Sequence, residues 1–207
     1  RRSTNYAIQY RQPMTSPESL ALTVRSGSEE HADSDDALVR AALTEPTAFG
    51  LLYERYYDRV YRYCRARSPG HEETTDLTQQ VFVRAFNSLH RYRPRGSFAA
   101  WLFRIAHNLV VDAGRRKHHS PVPWDAVPDM AILATPDIGP EDAALRAEQL
   151  EQLRRVVNAL PPDKRELLVL RFGVGLSIQE MATVIGKSVS ATQMRLSRTL
   201  ETIRKEY

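Results

Sequence analysis

The residues best suited to ligand chemistry gather between positions 93 and 117. Arg93, Arg95, Arg115, Arg116 and Lys117 carry positive charge, Phe98 offers a ring, and Ser97, Asn108 and Asp112 offer short hydrogen-bonding groups. Cations beside an aromatic suit single-stranded nucleic acid: charge holds phosphates and ring faces stack on bases. The same composition also suits a core helix with a solvated basic tail, so the elements that carry these residues have to decide.

Those residues sit on one predicted helix, Ser97 to Lys117. Phe98, Trp101, Leu102, Ile105, Ala106, Leu109 and Val110 recur at the spacing of an amphipathic helix. Ser97 is placed to cap its first turn. The preceding residues, His90 to Gly96, form a short basic loop punctuated by Pro94 and Gly96.

Upstream, residues 1–34 show no sustained apolar period and read as a mostly disordered extension. Order is expected from Asp35-Asp36, with a short helix on Ala37, Leu38, Ala41 and Leu43. Thr44-Glu45-Pro46 reads as a capped helix start. A strongly periodic helix follows on Phe49, Leu52, Tyr53, Tyr56, Val60, Tyr63 and Cys64. A third is predicted from Thr74 or Thr75 to Leu89, with Leu77, Val81, Ala85, Phe86 and Leu89 inside. Its other face would present Asp76, Gln79, Gln80 and Arg84 with Phe82 exposed beside them, a polar surface with an apolar anchor that fits protein docking. These helices can bury their stripes as one bundle, residues 35–117.

Residues 118–139 lose the pattern. Prolines 121, 123, 128 and 136 and a run of acids mark an extended acidic linker. From 140 to 207 helical periodicity returns. One helix carries Leu150, Leu153, Val156, Val157 and Leu160, and another follows Pro161-Pro162. Ile178 to Ser197 then fits a helix-turn-helix, with Ala182 at the crossing and Gly186 supplying the turn. Such a unit places its second helix in a major groove. Lys187, Ser188, Ser190, Gln193, Arg195 and Arg198 lie at its start or on its expected exposed side and can read base edges or hold phosphates. The fold class expected is therefore all-α: two small helical domains joined by an extended linker.

Charge placement agrees. Residues 84–117 hold eight Lys/Arg against one acid, residues 187–205 hold five against one, and residues 118–150 hold six acids against one Arg. Two basic blocks around an acidic spacer fit two contacts on one polyanion. Enzyme chemistry finds little support. His107 and Asp112 are five apart and so not on one face, His118-His119 has no further ligand nearby, and phosphate loops and paired catalytic carboxylates are missing. No metal and no cofactor is expected. Cys64 is the only cysteine, which excludes an intrachain disulfide and fits a reducing cytoplasm. No apolar run is long enough for a membrane span, and Arg1-Arg2 lacks the apolar core of an export signal. A duplex-binding helix-turn-helix regulator acting without polymerase is the alternative reading. It leaves the basic helix at 97–117 unexplained.

Taken in order, the pieces resemble the bacterial extracytoplasmic-function (ECF, group 4) RNA polymerase sigma factors. The residues that carry the resemblance are Phe49-Gly-Leu-Leu-Tyr-Glu-Arg-Tyr-Tyr, Asp76-Leu-Thr-Gln-Gln-Val-Phe, the run from Phe98 to Lys117, Leu160-Pro-Pro and Leu176-Ser-Ile-Gln-Glu-Met-Ala. The resemblance implies that Asp76, Gln79, Gln80, Phe82 and Arg84 dock on the β′ coiled coil of core RNA polymerase. It implies that Arg93, Arg95, Ser97, Phe98, Asn108, Asp112, Arg115, Arg116 and Lys117 hold the melted −10 element of promoter DNA. It assigns the −35 element to the helix-turn-helix, the second domain also to the β flap, and an anti-sigma factor as a possible further partner. Two departures stand out in the recognition helix: Gln193 where the family often has Lys, and Thr192 where it often has a core Val.

Overall fold

The computed structural model describes residues 35–68, 70–93, 97–116 and 140–207, and the side chains of all these except 116 and 140–147. The expected extension (1–34) and linker (118–139), with Arg95, Lys117 and the side chain of Arg116, lie outside the described residues. Among the described residues the architecture is all-α.

The first half is built on α1 (residues 35–44), α2 (Phe49–Arg65), α3 (His71–Ser88) and α4 (Phe98–Arg116). The described residues begin at Asp35, and an ion pair to α2 anchors it. Asp35 is buried, lies 2.6 Å from Arg55 and accepts a hydrogen bond from the Tyr56 hydroxyl. The inward face of α1 is Asp35, Val39 and Ala42; Leu43 is exposed. No side chain caps the turn at Pro46–Ala48, and Thr44 instead bonds back to the Arg40 carbonyl. On α2 the stripe Phe49, Leu52, Tyr56, Val60, Tyr63 and Cys64 is buried, and burial pushes the Cys64 thiol up to about 12.

Helix α3 starts at His71, three residues before the predicted Thr74. Thr74 and Thr78 occupy its inner face; their buried hydroxyls donate to the Gly70 and Thr74 carbonyls at 2.7 and 2.8 Å. That self-satisfaction lets a polar residue face a core. Helix α4 buries Phe98, Ala99, Leu102, Phe103, Ala106, Leu109 and Val110, with Trp101 and Ile105 half-buried at the rim. Ser97 caps it as expected, accepting from Ala100 N at 3.1 Å.

The second half comprises α5 (Pro140–Ala159), α6 (Pro162–Leu168) running into a π-helical turn at Val169–Gly173, α7 (Ile178–Ile185) and α8 (Val189–Glu206). Ser177 and Glu180 form a reciprocal capping box on α7. Gly186, at φ 66°, makes the left-handed turn into α8, which Ser188 caps. Thr192 is fully buried, and its hydroxyl donates to Ser188 O at 2.9 Å. The departure at 192 is thus absorbed inside the protein, while Gln193 is exposed.

The sequence did not announce how the halves meet. Helix α7 packs along α4, the π turn packs on α2, and one apolar core runs through both halves.

Candidate polymerase and nucleic-acid interfaces

On α3, Asp76, Gln79, Gln80, Val83 and Arg84 are all exposed. Asp76, Gln80 and Val83 follow at i, i+4 and i+7 and share one face. The expected anchor, Phe82, is not there. It is buried, with its ring 4.6 Å from Tyr53 and 6.4 Å from Tyr57. The apolar side chain presented to solvent is its neighbour Val83, 58% exposed. Phe86, expected inside, is also partly exposed and lies edge-on to Phe49. The inward stripe uses both 81 and 82: Leu77, Val81, Ala85 and Leu89 are buried as expected, and the difference is confined to the two phenylalanines, Phe82 inside and Phe86 outside.

On α4 the exposed residues Arg104, Asn108, Asp112 and Arg115 form one stripe at i, i+4, i+8 and i+11. Asn108, Asp112 and Arg115 are therefore brought together as expected, and Arg104 joins them. Phe98 does not. It is buried among Tyr56, Tyr92 and Trp101, with ring centroids 5.4, 5.8 and 5.5 Å away. A base cannot stack on it there. The half-exposed aromatic beside the stripe is Trp101, which shares a face with Arg104 and Asn108 at i+3 and i+7. That spacing is visible in the sequence, where Trp101 also fits the core stripe; its position at the rim serves both. Arg93 is exposed and donates to the carbonyls of His90 and Tyr92.

On α8 and the turn before it, Lys187, Ser188, Ser190, Gln193 and Arg198 are exposed. Arg195 is only half-exposed and pairs with Asp163 of α6 at 2.6 Å. That pair ties the recognition helix to the start of α6 and turns the guanidinium towards its own protein. Met194, which sequence reasoning passed over, is 53% exposed between Ser190 and Ser197.

The remaining polar cluster lies between the halves. Glu166 of α6 is buried. It accepts from the Tyr63 hydroxyl at 2.6 Å and meets His107 Nδ1 at 2.7 Å. Arg67 Nη1 is 3.2 Å away, an ionic contact that falls short of hydrogen-bond geometry. Burial alone would raise the Glu166 carboxyl, but His107, Arg67 and Tyr63 outweigh it and hold it at about 2. Burial, with Glu166 beside it, pushes the Tyr63 phenol well up. Close by, Arg59 donates to the Val174 carbonyl at 2.9 and 2.6 Å with its guanidinium over the rings of Tyr56 and Phe103. Ser97, the cap of α4, donates to Glu180 of α7.

Among the described residues no group of three His, Cys, Asp or Glu could hold a metal ion, and no helix is long and apolar enough to cross a membrane.

Comparison with known proteins completes the picture. Residues 52–119 match Sigma-70 region 2 and residues 150–203 match Sigma-70 region 4. The chain is 36% identical over 178 residues to the ECF RNA polymerase sigma factor BldN of Streptomyces coelicolor, covering 82% of this chain and 67% of that one. It is 33% identical over 178 residues to the ECF RNA polymerase sigma factor SigD of Mycobacterium tuberculosis, covering 83% and 82%. Among solved structures, CnrH in complex with the cytosolic domain of CnrY superposes with a TM-score of 0.58 at 26% identity, over 82% of this chain and 94% of that one. The sigma factor RpoE of Bartonella quintana, solved with the anti-sigma factor NepR, shares the fold at a TM-score of 0.53 and 21% identity, over 76% and 95%. With its helix-turn-helix and its cationic α4 in the matched segments, the chain belongs to the ECF RNA polymerase sigma factors, which direct transcription initiation at promoters.

Proposed function

We propose that the first half, residues 35–117, docks on core RNA polymerase and holds the melted −10 element, and that the second half, residues 140–207, reads the −35 element. The observation that carries this is the pair of separate exposed polar faces: Arg104, Asn108, Asp112 and Arg115 on α4, and Lys187, Ser190, Gln193 and Arg198 at α8. On α4, Trp101 supplies the ring face and the arginines hold the backbone of single-stranded DNA. Arg93, Arg95, Arg116 and Lys117, which flank that stripe in the sequence, supply further positive charge for the phosphates. At α8, Gln193 and Arg198 reach base edges in the major groove, while Lys187 and the short hydroxyls of Ser188 and Ser190 address phosphates. The α3 face of Asp76, Gln79, Gln80, Val83 and Arg84 meets the polymerase β′ coiled coil, and the second half meets the β flap. The protein works in the cytoplasm and catalyses no reaction of its own. An anti-sigma factor is a fitting further partner, since CnrH and the Bartonella RpoE were both solved with a protein bound.

The test is promoter-selective transcription with core polymerase, followed by mapping of start sites. The expected outcome is a small set of promoters that fire only when this protein is added, with no specific duplex binding by the protein alone. Tight, specific duplex binding without polymerase would overturn the proposal in favour of a conventional regulator.

A further inference from the structure

The contact between the halves is more than an apolar patch. It contains a buried carboxylate with three partners from the other half, and none of the four is used by the functions proposed above. Tyr63 and Arg67 come from the end of α2 and the turn after it, His107 from α4, and Glu166 from α6. A second carboxylate, Glu180 of α7, takes the hydroxyl of Ser97. Arg59 adds a bidentate grip on the Val174 backbone. Each of these bonds crosses from one half to the other.

Distance sets the consequence. Ser97 is bonded to Glu180, and Ser190 follows only ten residues after Glu180. A chain of that length spans at most about 35 Å, so with side chains added the start of α4 and the start of α8 lie within roughly 45 Å. The −10 and −35 elements are about 25 base pairs apart, or about 85 Å along B-DNA at 3.4 Å per pair. The closed arrangement therefore cannot hold both elements at once. It also ties up the Ser97 side chain, which belongs to the −10 set. Residues 117–139 have enough covalent length, about 80 Å when extended, to let the halves part and span the promoter.

We propose that this chain closes on itself through a carboxylate latch, Glu166 on Tyr63, His107 and Arg67 with Glu180 on Ser97, and that the latched form is the one not engaged with a promoter. The second clause rests on the reading of α4 and α8 as the −10 and −35 faces; the first does not. The latch couples the two functions of the chain: neither DNA face is set at promoter spacing until Glu166 leaves its seat. Any partner that stabilises the parted halves, core polymerase included, releases it. Any partner that bridges the closed halves reinforces it.

The experiment measures the distance between the halves in the full chain, with spin labels on Glu54→Cys of α2 and Glu201→Cys of α8, both exposed positions. Cys64 is fully buried and does not compete for label. In the free protein a single short distance is expected. Glu166→Gln, and from the other side His107→Gln, should raise the long-distance population at least tenfold while helical content stays unchanged. A short distance that persists in both folded variants overturns the latch, as does a broad, long distribution in the parent chain. Core polymerase and a cognate promoter are then added. A distance that lengthens supports the second clause, and one that stays short in the promoter complex refutes it. Failure to co-elute with polymerase would instead strike the sigma-factor assignments of the individual faces and leave the latch measurement standing.

Discussion

Phe82 and Val83 are adjacent, and the structure buries one and exposes the other, so exchanging each for alanine separates folding from the proposed docking. Phe82 is 4% exposed and its ring packs on Tyr53 and Tyr57. Truncating a phenylalanine in such a place removes its transfer energy and leaves a cavity, a loss of about 3–5 kcal/mol. For a chain of this size each kcal/mol lowers Tm by about 2–4 °C, so Phe82→Ala should melt roughly 6–20 °C lower. Val83 is 58% exposed, and its truncation should leave stability within about 0.5 kcal/mol. At a protein interface, however, the lost methyl groups are worth about 1 kcal/mol, or about fivefold in affinity. Paired thermal melts and equilibrium titrations of labelled protein with core polymerase read the two effects independently. The expected result is a melt defect for Phe82→Ala and an affinity defect confined to Val83→Ala. A Phe82→Ala protein that melts normally yet binds polymerase weakly would refute the reasoning, because it would place that ring at the interface and not beneath it.

Three further outcomes follow from the site geometry. Arg198→Ala should cost about 1–3 kcal/mol at the −35 element, read as promoter-selective transcript yield. Arg195→Ala should cost less there and show mainly as a small loss of stability, since its partner is Asp163; equal promoter defects in the two variants would contradict this. Met194, 53% exposed on α8, is suited to the methyl group of thymine if α8 enters the groove as proposed. Replacing each −35 thymine in turn with deoxyuridine should weaken the parent holoenzyme at one position and leave Met194→Ala unaffected there; loss of the same size in both would remove Met194 from readout. Glu166 supplies a pH dependence. Its carboxyl is held at about 2 against 4.5 for the free group, a difference of about 3 kcal/mol. A lowered carboxyl stabilises the closed form above about pH 4.5 and loses that contribution as pH falls towards 2. The advantage of the parent over Glu166→Gln in closed population should therefore be full at pH 6 and shrink by pH 3. A difference that does not change over that range would refute the assignment.

What the sequence revealed follows from which forces are local. Helix positions were legible because apolar spacing and caps are properties of neighbours in the chain: Ser97, Ser177 and Ser188 all cap helices in the structure. The helix-turn-helix was legible because Gly186 must take a left-handed φ. On α3 the expected polar residues are exposed and only the aromatic anchor differs, for a specific reason. Two adjacent apolar residues, Val81 and Phe82, both turn inward because Tyr53 and Tyr57 of α2 make room for the larger ring. Phe98 was misplaced for a similar reason, since three aromatics from α2, α4 and the preceding loop enclose it. Packing partners distant in sequence settle such details. Arg195 is the clearest case, because its fate depends on Asp163, 32 residues away.

The same distinction explains why the latch was invisible. Glu166 follows Pro162 on a short helix and carries no motif; only Tyr63, 103 residues earlier, and His107 give it meaning. Its chemistry also suits a contact that has to reopen. The joint also has an apolar part, since one core runs through both halves and is uncovered when they part; the polar seat adds groups that water can satisfy in its place. A carboxylate, an imidazole, a phenol and a guanidinium are all well solvated once apart. Closed, they are held by charge and direction in a seat that admits little else, because a buried carboxylate missing one partner is strongly destabilised. The same four side chains then give closure a direction that the apolar part of the contact lacks, and they are readily rehydrated on opening. Replacing the whole seat by apolar side chains, Glu166→Leu and His107→Leu together with Arg67→Met and Tyr63→Phe, strands no charge or hydroxyl and should therefore preserve or strengthen closure in the labelled protein while impairing its opening on core polymerase. If that variant opened on polymerase as readily as the parent, the polar character of the joint would have no bearing on its release.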